Sequence, residues 1–185
     1  MMNQGTAKTA YVFIMGIFFA VLQTCMFFSM EVFLTSAFAG FGAVTGGWLA
    51  GSAVGLFIGR AKFLPQGPKG DAVYLAVCLA AYYGFTAAVH ASPFNTSLLP
   101  VHFALIAISG STAGVFFTRN RELFPSASRL YYVENNGFIL GWIIGFSGYV
   151  FIGGTFVMTG PFIAAFAAIA TRIMGARECS SASQA

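Results

Sequence analysis

Charged residues are scarce in this chain. Asp, Glu, Lys and Arg make up 8% of its 185 residues, where a soluble domain carries about 25%. So few charges cannot cover a surface facing water. Apolar residues make up 58% and the mean hydropathy is +0.80, which places the chain in the lipid bilayer. Cysteine is also rare. Cys25 and Cys78 lie inside apolar runs and Cys179 lies near the end of the chain, with no spacing that indicates a disulfide framework or a metal knuckle. The segments of alternating polarity that build a membrane β-barrel are missing. No Gly-x-Ser-x-Gly elbow, phosphate-binding Gly-rich loop or His-Glu-x-x-His pair is present, so hydrolytic chemistry has no support and no enzyme activity is expected. The formal net charge of +4 comes from short loops, which speaks for orientation in a membrane and not for nucleic acid.

What is present is a series of long apolar runs. They predict six transmembrane helices at about Ala10–Leu34, Ala37–Gly59, Ala72–His90, Leu98–Thr118, Leu130–Ile152 and Thr155–Thr171. The fold class is an all-α integral membrane bundle. Residues 1–9 form an N-terminal segment, 10–174 the six-helix domain and 175–185 a polar tail. Polar punctuation separates the runs: LPQGPKG at 64–70, ASPFNTSLLP at 91–100 and RNRELFPSASR at 119–129. LQTC at 22–25 resembles a lipoprotein box and SAFA at 36–39 a signal-peptidase site. The first run is longer than the ~7–15 residues of a signal h-region, so cleavage is not expected.

Lysine and arginine sort by side. Lys8 precedes the first run. Arg60, Lys62 and Lys69 follow the second, Arg119, Arg121 and Arg129 follow the fourth, and Arg172 and Arg177 follow the sixth. The other three connections carry none. This positive-inside pattern predicts that both termini are cytoplasmic.

Glycine recurs at helical spacing. Gly42 and Gly46, then Gly51, Gly55 and Gly59, fall in the second run. Gly110 and Gly114 fall in the fourth, and Gly137, Gly141 and Gly145 in the fifth. Steps of four place small residues on one face, where helix backbones approach closely. The second and fifth runs hold matching places in the two halves and run in opposite directions. That predicts a 3+3 inverted repeat, half of a major-facilitator-like unit.

The segment RLYYVENNGFILGWIIGFSGYVFIGG, with Tyr131, Glu134, Gly137 and Gly141, resembles the fifth helix in the membrane half of bacterial spermidine synthase-like proteins. Glu31, the stretch GGWLAGSAVGLFIGR before its basic Arg60, and ISGSTAGVFFTRNREL fit the same family. Ser36 stands where the family often has an arginine. No Gly-rich nucleotide-binding loop or acidic cluster follows Arg172. The resemblance therefore implies the membrane module in a bacterial cytoplasmic membrane, without aminopropyl transfer.

Two of the five acids, Glu31 and Glu134, fall within apolar runs. A carboxylate at the bilayer centre costs about 2.5–3.5 kcal/mol on insertion scales, which makes both candidates for proton or cation binding. They have structural alternatives. Glu134, with Asn135 and Asn136, would form a polar cluster at a helix start, satisfying first-turn amides or pairing with Arg129 or Arg121. Glu31 would cap the second helix from the outer interface. Asp71, Glu122 and Glu178 are expected to be solvated beside basic residues. His90 and His102 flank one outer loop and are weak candidates for a b-type haem. No other metal or cofactor is expected. The NTS triplet at 95–97 is a glycosylation acceptor only in a secretory host, and the 22 phenylalanines read as lipid-facing filler. The leading functional expectation is a non-catalytic membrane subunit or anchor that organises separately encoded partners. A small cation- or proton-coupled carrier acting as a dimer, a homo-oligomer of this chain, is the second, and haem-based electron transfer the third.

Overall fold

Each long apolar run forms an α-helix, because a helix satisfies its backbone N–H and C=O groups internally and hydrocarbon offers no other partner. The computed structural model describes residues 4–34, 37–61 and 65–182, with side chains described for 5–34, 38–61 and 65–176. The helices are α1 (Gln4–Leu34), α2 (Ala37–Ile58), α3 (Gly67–Ala91), α4 (Leu99–Asn120), α5 (Ala127–Ile152) and α6 (Gly154–Ala182), with 3₁₀ turns at Thr96–Leu98 and Arg121–Leu123. All six are long and apolar enough to cross a membrane, and the described residues contain no strand. Ser36, Lys62 and the side chains of Arg177, Glu178 and Cys179 lie outside the described residues.

The helices extend past the apolar runs. α3 begins at Gly67 with a proline in its first turn, where a missing N–H costs nothing. α6 continues to Ala182, so the boundary expected at residue 174 is not a structural break. A helix leaving the membrane keeps its internal hydrogen bonds and need not stop at the interface.

α1 packs against α5, α6, α2 and α3, while α4 packs against α2 and α3. Exchanging the first three helices with the last three maps the α1–α5 contact onto α4–α2. It also maps α1–α6 onto α4–α3, and α3–α6 onto itself. That exchange is the one an inverted 3+3 repeat requires. It is approximate, because α1 also touches α2 and α3 and so becomes the axial helix. Val12, Phe18, Ala20, Leu22, Cys25 and Met26 of α1 are fully buried. Aromatic edges join it to its neighbours, Phe19 meeting Trp48 of α2 and Phe116 of α4. Phe18, Phe19 and Phe85 lie in the core, so the phenylalanines are not all lipid-facing filler.

The two closest helix pairs are glycine contacts. A Cβ at Gly137 would overlap the carbonyl of Phe13, one at Gly141 would meet Ile17, and one at Gly145 would meet Thr24. On the other pair, Gly51 faces the carbonyl of Ala107, Gly55 that of Ser111, Gly110 that of Trp48 and Gly114 that of Ser52. Gly59 packs on Thr118. Two expected packing positions differ. Gly42 has nothing within 4 Å of its would-be Cβ, and Gly46 makes only an ordinary contact with Phe103. The face in contact is Gly47, Gly51, Gly55 and Gly59, one unbroken i+4 row. Gly42 and Gly46 belong to the adjacent row, beside an apolar crevice lined by Gly42, Ala43, Pro100 and Phe103. Gly16 of α1, against the carbonyl of Glu134, completes the α1–α5 seam from the other side.

Pro161 lies inside α6 and supplies no N–H to the carbonyl four residues before it, Val157. Tyr82 of α3 fills the gap: its hydroxyl donates to Val157 O at 2.6 Å, and Tyr83 donates to Met158 O at 2.7 Å. Tyr82 is completely buried. The two tyrosines thus tie α3 to α6 where α6 is internally weakest.

Two outcomes follow, both measured as thermal unfolding midpoints in detergent. Gly55→Leu forces α2 from α4 and costs at least the ~1–3 kcal/mol of core overpacking, while Gly42→Leu leaves the midpoint unchanged. Tyr82→Phe strands the Val157 carbonyl and costs about 1–3 kcal/mol. Tyr83→Phe costs less, because its hydroxyl contact is exposed.

Candidate functional site

Many hydroxyl groups inside the spans are satisfied within their own helix. Thr24, Ser29, Thr86 and Thr171 each donate to the carbonyl four residues earlier in the same helix. Ionisable groups are costlier to place in a bilayer, so the candidate site is built from them.

Glu134 is buried, at 8% exposure, on the face of α5 that carries Gly137 and Gly141. It is not at a helix start. Ser126 is the N-cap of α5, its hydroxyl accepting from the Arg129 N–H at 3.2 Å. Glu134 is the eighth residue of the helix, about 10 Å along it, beyond reach of the first-turn amides. Asn135 and Asn136 are exposed on the opposite side, and Asn136 donates to the Tyr132 carbonyl. The expected helix-start cluster therefore does not form, because α5 begins three residues earlier than its apolar run. Nor does Glu134 pair with Arg129 or Arg121: the ion pair found among the described residues joins Arg172 and Asp71.

Glu31 sits in the last turn of α1. Its Oε1 is buried without a hydrogen-bond partner and lies near Gly40 of α2. This oxygen therefore does not cap α2. Glu31 and Glu134 lie toward opposite ends of the α1–α5 pair.

His90 and His102 are not equivalent. His90 is exposed, its Nδ1 lies 2.7 Å from the Thr86 carbonyl, and its ring stands against Phe33. It lines a cavity of about 200 Å³ with Ser29, Phe33, Tyr149 and Met158. His102 is fully buried beside Phe85, with both ring nitrogens unpartnered, and does not line that cavity. A bis-histidine haem needs both imidazoles on one space, and these residues do not fit one. Among the described residues no three His, Cys, Asp or Glu side chains gather at a metal-sized site.

The cluster that does form lies at the basic end. Asp71, in the first turns of α3, accepts from Arg172 Nε of α6 at 2.7 Å, with side-chain exposures of 13% and 24%. The Arg172 guanidinium lies 5.1 Å from the ring of Tyr11 of α1. Arg119, in the last turn of α4, repeats the theme. It donates to the Pro65 carbonyl at 2.7 Å and covers the ring of Tyr74 at 5.2 Å, while the Tyr74 hydroxyl donates to the same carbonyl at 2.9 Å. Around these groups opens a polar cavity of about 490 Å³, lined among others by Arg60, Asp71, Arg119, Glu122 and Arg172. Asp71 is therefore an interhelical partner and not the solvated loop acid expected. A signal for it was present: Asp71 opens the third run and Arg172 closes the sixth. In an inverted repeat those two ends meet at one membrane face.

Neither a family model, a curated protein nor a solved structure matches this chain. The chemistry rests on the residues themselves. The fold and its six apolar helices make it an integral, multi-pass membrane protein. Its basic end gathers charged side chains, and among the described residues neither Glu31 nor Glu134 forms an ion pair.

A double-mutant cycle of Asp71→Asn and Arg172→Gln, read by thermal unfolding, should give a coupling between the ~0.5 kcal/mol of an exposed pair and the ~3 kcal/mol of a buried one. Strictly additive losses would show that the pair contributes nothing.

Proposed function

We propose that the chain is a non-catalytic membrane subunit that anchors a separately encoded partner at its basic end. One observation carries the reading: how filled space and polar space divide. The middle of the bundle is taken up by buried α1 side chains and by glycines set against backbone. A polar cavity of about 490 Å³ lies at the end where Arg60, Arg119 and Arg172 gather. By the positive-inside rule that end, with both termini, faces the cytoplasm. The resemblance to the membrane half of spermidine synthase-like proteins agrees with a module built to hold another domain, in a bacterial cytoplasmic membrane.

A second reading has its own support. The exchange of helix contacts between the two halves, with Glu31 and Glu134 in no ion pair among the described residues, suits half of a carrier. Two copies would then build a path, with the carboxylates binding a proton or small cation.

Purification in mild detergent separates the two. The subunit reading expects a partner at fixed stoichiometry that is lost from an Arg60→Gln/Arg121→Gln double variant and retained by Glu134→Gln. A monodisperse homodimer with nothing else bound would overturn it in favour of the carrier.

A further inference from the structure

Three arginines from three separate segments face the cavity at the basic end: Arg60 just after α2, Arg119 in α4 and Arg172 in α6. They are held differently. Arg119 is fixed by the Pro65 carbonyl and the face of Tyr74. Arg172 meets Asp71 through Nε, which leaves the two terminal amino groups of its fork for another acceptor. Arg60 is exposed and its guanidinium makes no hydrogen bond or ion pair among the described residues. Two carboxylates share the wall. Asp71 is already neutralised by Arg172. Glu122 is exposed, so water and salt screen its charge. Gly59 and Gly67 line the same space and leave it open.

We propose that this cavity binds a phosphate-type oxyanion, held by Arg60 and the terminal amino groups of Arg172, with Arg119 as a fixed positive wall. Guanidinium forks match phosphate oxygens in pairs and desolvate more readily than ammonium groups. Three guanidinium groups against two carboxylates leave the lining net positive, which disfavours a cation. At about 490 Å³ the space lies within the ~300–1,000 Å³ range of ligand pockets. Basic pockets at the ends of membrane helices take lipid phosphates, and a free phosphate presents the same oxygens. The proposal does not depend on the anchoring role.

The test uses the full chain in mild detergent, with the thermal unfolding midpoint followed on adding inorganic phosphate, phosphatidylglycerol or phosphatidylcholine. Phosphate or phosphatidylglycerol should raise the midpoint, and phosphatidylcholine should not. A response to phosphate assigns a soluble oxyanion, and a response to phosphatidylglycerol alone assigns a lipid headgroup. Arg60→Gln removes no side-chain hydrogen bond or ion pair found among the described residues, so it should fold normally and weaken the response about tenfold. Arg172→Lys, which keeps a charge for Asp71 but loses the fork, should weaken it as well. No shift with either anion, or a response unchanged in both variants, would overturn the site.

Discussion

Lipid tails are as apolar as leucine, so helices in a bilayer gain little by hiding apolar side chains from them. What holds such helices together is how closely their backbones approach. Two seams in this protein meet that condition. Gly137, Gly141 and Gly145 bring α5 onto α1, and Gly47, Gly51, Gly55 and Gly59 bring α2 onto α4, with Gly110 and Gly114 answering from α4. Other contacts are arranged around these. Because each seam joins helices from different halves of the chain, neither half is closed on its own. The two three-helix units are interlocked, and α1 becomes the axis on which four helices pack.

The α3–α6 pair lies on the approximate symmetry axis and is joined by polar contacts at two places. At the basic end Arg172 meets Asp71. Farther along, Tyr82 and Tyr83 donate to the carbonyls of Val157 and Met158. The second tie is a consequence of Pro161. A proline in a membrane helix leaves a carbonyl that lipid cannot satisfy, and a neighbouring helix must supply the donor. The same accounting separates the quiet polar residues from the candidates for function. Threonine and serine hydroxyls find a carbonyl, in their own helix for Thr24, Ser29 and Thr86 or in a neighbouring one for Ser52, whereas Glu31 Oε1 and both nitrogens of His102 are buried with no partner among the described residues.

Much of this fold was legible in the chain. Six apolar runs gave six helices, and glycine spacing marked α2, α4 and α5 as helices that pack closely, without saying against which neighbour. The candidate site was less legible. Glu134 looked like a helix-start residue because the apolar run begins at Leu130, but Ser126 caps the helix and Glu134 lies two turns inside. Asp71 looked solvated because lysine and glycine precede it. In fact it faces a helix a hundred residues away in sequence, a pairing that a local reading cannot register. Gly42 and Gly46 were assigned to a packing face that lies one residue away, since steps of four fit two adjacent rows equally well.

The sequence by itself determined the medium, the number of crossings and the side on which charge collects. Those follow from transfer free energies, which are summed over residues whatever their neighbours. Tertiary structure alone decided which glycine row meets a backbone, which carbonyl Tyr82 reaches, and which arginines share a cavity with Asp71. Those depend on the rotation and depth of each helix against another, which composition and spacing leave open.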